Sequence, residues 1–141
     1  MIVDAALMLS GNLPAAGANT TLVSLDLAGD ATPFSEVWRL GFLQIFWPAL
    51  PNCVAGTVTI ALVDSADNGA TYQAGGTGTA ALRPLIQLTL TGGAGGVAAG
   101  SADMPFPPGL RGPCGLLLTA SANAGDNTAA VLQAGFDTQA S

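Results

Sequence analysis

The chain of 141 residues contains no histidine and no lysine, and only 9% of its residues are charged. Without histidine it lacks the most common general base, the usual base of a catalytic triad and the most common protein metal ligand. A serine or cysteine nucleophile would therefore have no histidine to activate it. We predict that the protein is not an enzyme, that it has no catalytic residues, and that it binds no cofactor or metal ion.

Positive charge is scarce, because three arginines stand against nine acidic residues and the net charge is −6. Proteins that bind nucleic acid without sequence preference, or anionic membranes, rely on clusters of Lys and Arg. The sequence also has no run of about 18–20 apolar residues that could span a bilayer. We therefore expect neither a nucleic-acid nor a membrane partner.

The low fraction of charged residues, 9%, also bears on the surface of the protein. Soluble domains usually carry about 25% charged residues, so neighbouring subunits are expected to cover much of this surface.

Cysteine is also rare, and Cys53 and Cys114 are too few to form a zinc site by themselves. The two could form a disulfide, but buried free thiols in a reducing cytoplasm are the favoured interpretation. The sequence DSADNG at residues 64–69 lacks the spacing and the terminal glutamate of a calcium loop. It is interpreted as an acidic turn. The glycine-rich residues 91–100 lack the lysine and the strand–helix context of a phosphate loop, and indicate a mobile segment.

The sequence is rich in short runs of alternating apolar residues, separated by Gly, Pro, Asn or Asp. In Thr57–Asp64 (TVTIALVD), Val58, Ile60 and Leu62 would share one face of a half-buried strand. Nineteen glycines disfavour helices throughout. We predict an all-β fold: one domain over residues 1–141, a jelly-roll-like β-sandwich with about eight strands. Similar alternation occurs at residues 3–9, 23–27, 85–91, 115–122 and 132–136.

One segment, EVWRLGFLQIFW at residues 36–47, is apolar on both faces. It fits a central strand covered on both sides, or a strand followed by a buried loop. Alternatively, one face packs against another subunit, since aromatic residues commonly anchor such contacts. The three arginines could pair with acids of a neighbouring subunit or be ordinary surface residues. The candidate interface residues are Trp38, Arg39, Phe42, Phe46, Trp47, Arg83 and Arg111.

Several short motifs follow one another in an order that resembles a known family. The chain begins MIVD, and LMLS follows at residues 7–10, SADNGATY at 65–72 and PPGLRG at 107–112. This succession resembles the capsid cement, or head decoration, proteins of tailed bacteriophages. The resemblance implies a jelly-roll-like sandwich, usually trimeric, that binds the major capsid protein and stabilises the head, with no catalysis and no cofactor. It also implies a location on the capsid exterior of the virion, after synthesis in the host cytoplasm.

Two other functions stay open. A carbohydrate-binding β-sandwich on a fibre or cell surface would need exposed aromatic residues in a row beside Asn, Asp or Gln, and Trp38, Trp47 and Tyr72 could serve if they face solvent. A structural subunit of a phage tail or neck is the other alternative. It would differ from a cement protein in being present in few copies per virion.

Overall fold

A computed structural model of the chain describes residues 8–23, 42–64, 73–74, 87–105 and 114–137. These residues form strands and loops, with every strand pair antiparallel and no helix among them. The prediction of an all-β fold is confirmed. In the same residues there is no helix long and apolar enough to cross a membrane. The strands are β1 (Met8–Asn12), β2 (Asn19–Val23), β3 (Phe42–Trp47), β4 (Thr57–Asp64), β5 (Gln73–Ala74), β6 (Gln87–Thr91), β7 (Gly100–Pro105), β8 (Cys114–Ala120) and β9 (Val131–Asp137).

The strands form two sheets whose order is that of a jelly roll. One sheet has the order β1-β9-β3-β7, and the other has the order β2-β8-β4, with β6 and the two-residue β5 both paired to β4. If β5 is set aside, the eight remaining strands pair first with last and inward: β1 with β9, β2 with β8, β3 with β7, and β4 with β6. This nested pairing is a long antiparallel hairpin rolled into a two-sheet sandwich. The predicted jelly-roll-like sandwich of about eight strands is therefore confirmed.

Strand β4 shows why the alternating sequence folds in this way. Val58, Ile60 and Leu62 are all 0% exposed, whereas Thr57 and Thr59 on the other face are partly exposed. Successive side chains of a strand point to opposite faces, so one face of β4 enters the core. Strand β8 supplies the matching face, because its residues directly opposite those three are Ala120, Leu118 and Leu116. These residues are buried as well and belong to the same apolar cluster.

The second sheet closes the core from the other side. Leu43 and Ile45 of β3 are buried, as are Leu132 and Ala134 of the neighbouring β9. Met104 of β7 lies directly opposite Leu43 and is also buried. All five belong to the apolar cluster that includes the inward side chains of β4 and β8. The core thus lies between the two sheets, as a sandwich requires.

The two interpretations of residues 36–47 can be compared only over residues 42–47, which form β3. Residues 36–41 lie outside the described ranges. Strand β3 is central, with β9 on one side and β7 on the other. Its inward residues are in the core, and Gln44 on the outward face is only 3% exposed. The strand is therefore central in its sheet and covered at Gln44, while the packing of one face of the segment against another subunit stays a prediction.

Strand β8 ends earlier than the sequence predicts. The alternation predicts a strand over residues 115–122, but β8 ends at Ala120. The next residue, Ser121, turns the chain: its carbonyl accepts a hydrogen bond from Ala124 N at 3.1 Å, and its Oγ accepts one from Thr57 N at 2.9 Å. The small apolar residues after 120 continue the pattern of the sequence without continuing the strand.

The central position of β4 gives a test of the core. Ile60→Ala should lower the free energy of unfolding by about 2–5 kcal/mol, because it leaves a cavity among fully buried neighbours. Thr59→Ala, one residue away on the other face, should cost about 1 kcal/mol or less. Urea denaturation followed by circular dichroism would measure both. Equal losses in the two variants would contradict the assignment of the inner face.

Candidate interaction site at the loop end

Four connections lie at one end of the jelly roll, and the structure describes all four. They are the loops between β1 and β2 (residues 13–18), β3 and β4 (48–56), β6 and β7 (92–99), and β8 and β9 (121–130). Antiparallel strands alternate in direction, so alternate connections emerge at the same end. We call this surface the loop end. Its four loops are rich in Ala, Gly and Pro, and their one charged residue is Asp126.

The loops 48–56 and 92–99 are joined by backbone hydrogen bonds. Leu50 and Val97 exchange a pair, with Leu50 N to Val97 O at 2.8 Å and Val97 N to Leu50 O at 3.0 Å. Gly93 N donates to Cys53 O at 3.2 Å. The glycine-rich composition predicts a mobile segment here, whereas the structure holds this segment to its neighbour by a short ladder. The difference arises because backbone groups pair regardless of how small the side chains are.

The loops 13–18 and 121–130 are joined in the same manner. Gly17 N donates to Ser121 O at 3.2 Å, and Leu13 N donates to Ala130 O at 3.0 Å. The side chain of Asn52 then links the two pairs of loops, because its Nδ2 donates to Asp126 O at 2.8 Å. All four loops are therefore connected through hydrogen bonds that need almost no charged side chain.

Asn127 is the buried polar residue of this end, at 6% exposed. Its side-chain Nδ2 donates to Ala124 O at 2.9 Å, and its backbone carbonyl accepts from Ala130 N at 3.0 Å. Burying an amide is favourable only where such partners replace water. Neither Asn52 nor Asn127 is among the candidate residues predicted from the sequence. The available signal was two asparagines within loops, where this residue commonly bonds to nearby backbone.

A groove with a volume of about 380 Å³ opens between residues 48–52 and 126–131. Its walls include Pro48, Leu50, Pro51 and Val131, so it is largely apolar. Val131 is 41% exposed beside it. Val54, in the loop that forms one wall, is 59% exposed. Among the described residues these two valines are the exposed large apolar side chains.

Of the candidate interface residues predicted from the sequence, Phe46 and Trp47 have described side chains, and these lie on opposite faces of β3. Phe46 points to the outer face of its sheet, half-buried between Gln133 and Ser101, which are exposed. Trp47 lies on the opposite face, packs against the core and donates from Nε1 to Ala98 O at 3.0 Å. Its ring also covers Gly100, where any side chain would collide with it. Intrachain packing therefore accounts for a tryptophan at this position.

The remaining candidates lie outside this comparison. Phe42 is the first residue of β3. Trp38, Arg39, Arg83 and Arg111 lie outside the described residues, as does Tyr72. Their assignment to an interface stays a prediction.

Cys53 is a buried free thiol, with its Sγ 3.7 Å from Ala55 O. Within the described ranges, no three His, Cys, Asp or Glu side chains come together as a group that could hold a metal ion. The loop end presents apolar side chains, backbone amides and the carboxylate of Asp126. The sequence matches no family model and no curated protein.

The close packing of the loops predicts a large difference between two glycines. Gly125 and Gly95 both have positive φ, 77° and 82°. A side chain at 125 would collide with Asn52 O, whereas nothing lies within 4 Å of the corresponding position at 95. Gly95→Ala should cost about 1–2 kcal/mol through backbone strain, and Gly125→Ala about 1–3 kcal/mol more through overpacking. Equal midpoints in urea denaturation would show that the contact between the loops is absent.

The pKa of Asp126 should depend on Thr128. Its carboxylate is exposed, and it accepts hydrogen bonds from Thr128 Oγ1 at 2.7 Å and Thr128 N at 3.1 Å. These bonds lower the pKa of Asp126 from its ordinary value, with the hydroxyl bond the larger cause. The contribution to stability is thus present at neutral pH and is lost as the pH falls below the ordinary value and through the lowered one.

Thr128→Val removes the hydroxyl bond and should raise the pKa of Asp126 toward its ordinary value. Thr89→Val, on the distant strand β6, serves as the control and should leave the pKa unchanged. Carbon-detected NMR titration of the carboxyl groups measures both. An unchanged pKa in Thr128→Val would mean that the hydroxyl bond does not form in solution.

Proposed function

We propose that this chain is a capsid cement protein of a tailed bacteriophage, which binds the major capsid protein on the outside of the head as a trimer. The observation that carries the proposal is the strand order, since eight-stranded jelly rolls of two Greek keys serve repeatedly in viral capsids. The order of the motifs, from MIVD at the start of the chain to PPGLRG at residues 107–112, resembles that of the cement proteins and supports this family in particular.

The composition supports the same function. A chain with 9% charged residues and a net charge of −6 carries few groups for recognising a charged ligand. Its surface is suited to contact with other protein surfaces. A small protein that binds weakly through one subunit gains strength when several subunits engage neighbouring sites on a lattice, because the later contacts form at a high effective concentration.

The carbohydrate-binding alternative is supported less well. Jelly rolls also include lectins, but sugar binding needs aromatic rings side by side on an exposed surface. Phe46 and Trp47, the aromatic residues whose side chains can be described, point to opposite faces of one sheet. The indole N–H of Trp47 is already bonded to Ala98 O. A tail or neck subunit would differ in copy number, which is in the hundreds for a cement protein and small for a tail part.

The proposal predicts that the purified protein co-sediments with undecorated mature heads of its phage and saturates at a fixed ratio. The decorated heads should release their genome at a higher temperature, or withstand a chelator longer, than undecorated heads. An unrelated acidic protein of similar size is the control for trapping in the pellet. The absence of both co-sedimentation and added head stability would overturn the proposal. Binding on a glycan array instead would support the carbohydrate alternative.

A further inference from the structure

The carboxylate of Asp126, the charged group of the loop end, has a defined orientation. Its Oδ1 accepts two hydrogen bonds, from Thr128 Oγ1 at 2.7 Å and from Thr128 N at 3.1 Å. An ionised carboxylate has about four lone-pair sites, two on each oxygen. The two bonds therefore occupy Oδ1, and within the described part of the chain Oδ2 has no hydrogen-bond or ion-pair partner. Asp126 thus presents an exposed and oriented anion with one open oxygen.

Asp126 also lines the apolar groove of the loop end. The volume of this groove, about 380 Å³, is within the range of about 300–1,000 Å³ that is common for ligand pockets. Its apolar walls include Pro48, Pro51 and Val131. Asn52, across the groove, donates from Nδ2 to Asp126 O at 2.8 Å and so holds the two sides together. An apolar recess with an anionic lining residue favours a ligand that has an apolar body and a cationic end.

Lysine and arginine are the side chains that combine an apolar stem with a cationic end. Arginine binds a carboxylate most strongly when its planar fork donates to both oxygens at once. That arrangement is disfavoured here, because Oδ1 of Asp126 already accepts two hydrogen bonds. A lysine ammonium group is a compact charge on a flexible four-carbon stem, and it can donate to Oδ2 alone. The geometry of this carboxylate therefore favours lysine.

The composition of the chain decides which kind of molecule supplies the lysine. The chain itself contains no lysine, so the side chain cannot come from a second copy. Nine acidic residues against three arginines give a net charge of −6, which attracts a cationic partner before contact is made. The partner is therefore a different protein that presents a lysine on its surface.

We propose that the groove binds a lysine side chain of a partner protein, with the methylene stem against Pro48, Pro51 and Val131 and the ammonium group donating to Asp126 Oδ2. Thr128 orients the carboxylate before binding, which lowers the cost of ordering the site. The site goes beyond the proposed function, which leaves the chemistry of the contact open. If the chain decorates heads, the lysine belongs to the capsid protein, and this last step alone rests on the proposed function.

The test is a titration of the isotope-labelled full chain, followed by two-dimensional proton–nitrogen NMR. The probe is Nα-acetyl-lysine methylamide, and the control probe is its norleucine analogue, which has the same stem without the ammonium group. The lysine probe should shift the signals of residues 48–52 and 126–131. It should bind about two- to fivefold more tightly than the norleucine probe, as expected for an exposed ion pair. Added salt should remove this advantage by screening, and equal affinities of the two probes at low salt would overturn the proposal.

Two variants test the role of the carboxylate. Asp126→Asn keeps the shape of the side chain and an oxygen that can accept from Thr128, but it removes the charge. It should lower the affinity of the lysine probe to that of the norleucine probe. Asp103→Asn removes the same charge from β7 and should leave the advantage of lysine in place. Circular dichroism checks that both variants fold. A lysine probe that binds Asp126→Asn as tightly as the wild type, or that shifts signals elsewhere, would overturn the assignment.

Further comparisons separate this site from the proposed function. An arginine probe that binds more tightly than the lysine probe would overturn the choice of lysine. If the lysine probe binds in the groove but the protein never binds heads, the site stands and the cement function fails. If the protein binds heads and the lysine probe does not bind, the cement function stands and the site fails.

Discussion

The pairing of β4 with β8 is the contact on which the rest of the structure depends. It runs over the full length of β8 and all but the first residue of β4, from Val58 opposite Ala120 to Asp64 opposite Cys114. The inward side chains of both strands are buried along this register. A shift by one residue would turn every one of them toward the outside. The register therefore sets which face is core, and the second sheet has to pack against that face.

The loop end follows from this arrangement. Because β4 and β8 are antiparallel neighbours, the loop that leads into β4 lies beside the loop that leaves β8. Thr57 N donates to Ser121 Oγ at 2.9 Å, and Ser121 N donates to Thr57 O at the same distance. The sheet is thus extended by one pair after β8 ends, which fixes where loop 121–130 begins. The hydrogen bonds from Asn52 and Asn127 act on loops whose ends the strands have already placed.

Much of the fold could be predicted from the sequence, because it depends on a pattern of period two. The alternation in β4, β8 and β9 predicts which residues of each strand face inward. Those residues are buried as expected: Val58, Ile60, Leu62, Leu116, Leu118, Leu132 and Ala134. The loop end could not be predicted. Its contacts join backbone groups far apart in the chain, such as Gly93 N with Cys53 O and Leu13 N with Ala130 O. Amino-acid composition does not indicate which distant backbone groups pair, so the glycine and alanine content of residues 91–100 predicts a mobile segment instead.

The sequence also predicts an interface around the aromatic residues of 36–47, and that assignment stays a prediction. Aromatic residues attract attention because they often anchor contacts between proteins, and Trp47 was a natural candidate. Its indole ring instead covers Gly100 and bonds to Ala98 O, which links the end of β3 to the loop before β7. Trp47 thus packs within its own chain, while small residues form the exposed surface at the loop end. A surface of alanine, glycine and valine can bind only through close fit and a low cost of ordering. The hydrogen bonds that join the four loops favour both conditions.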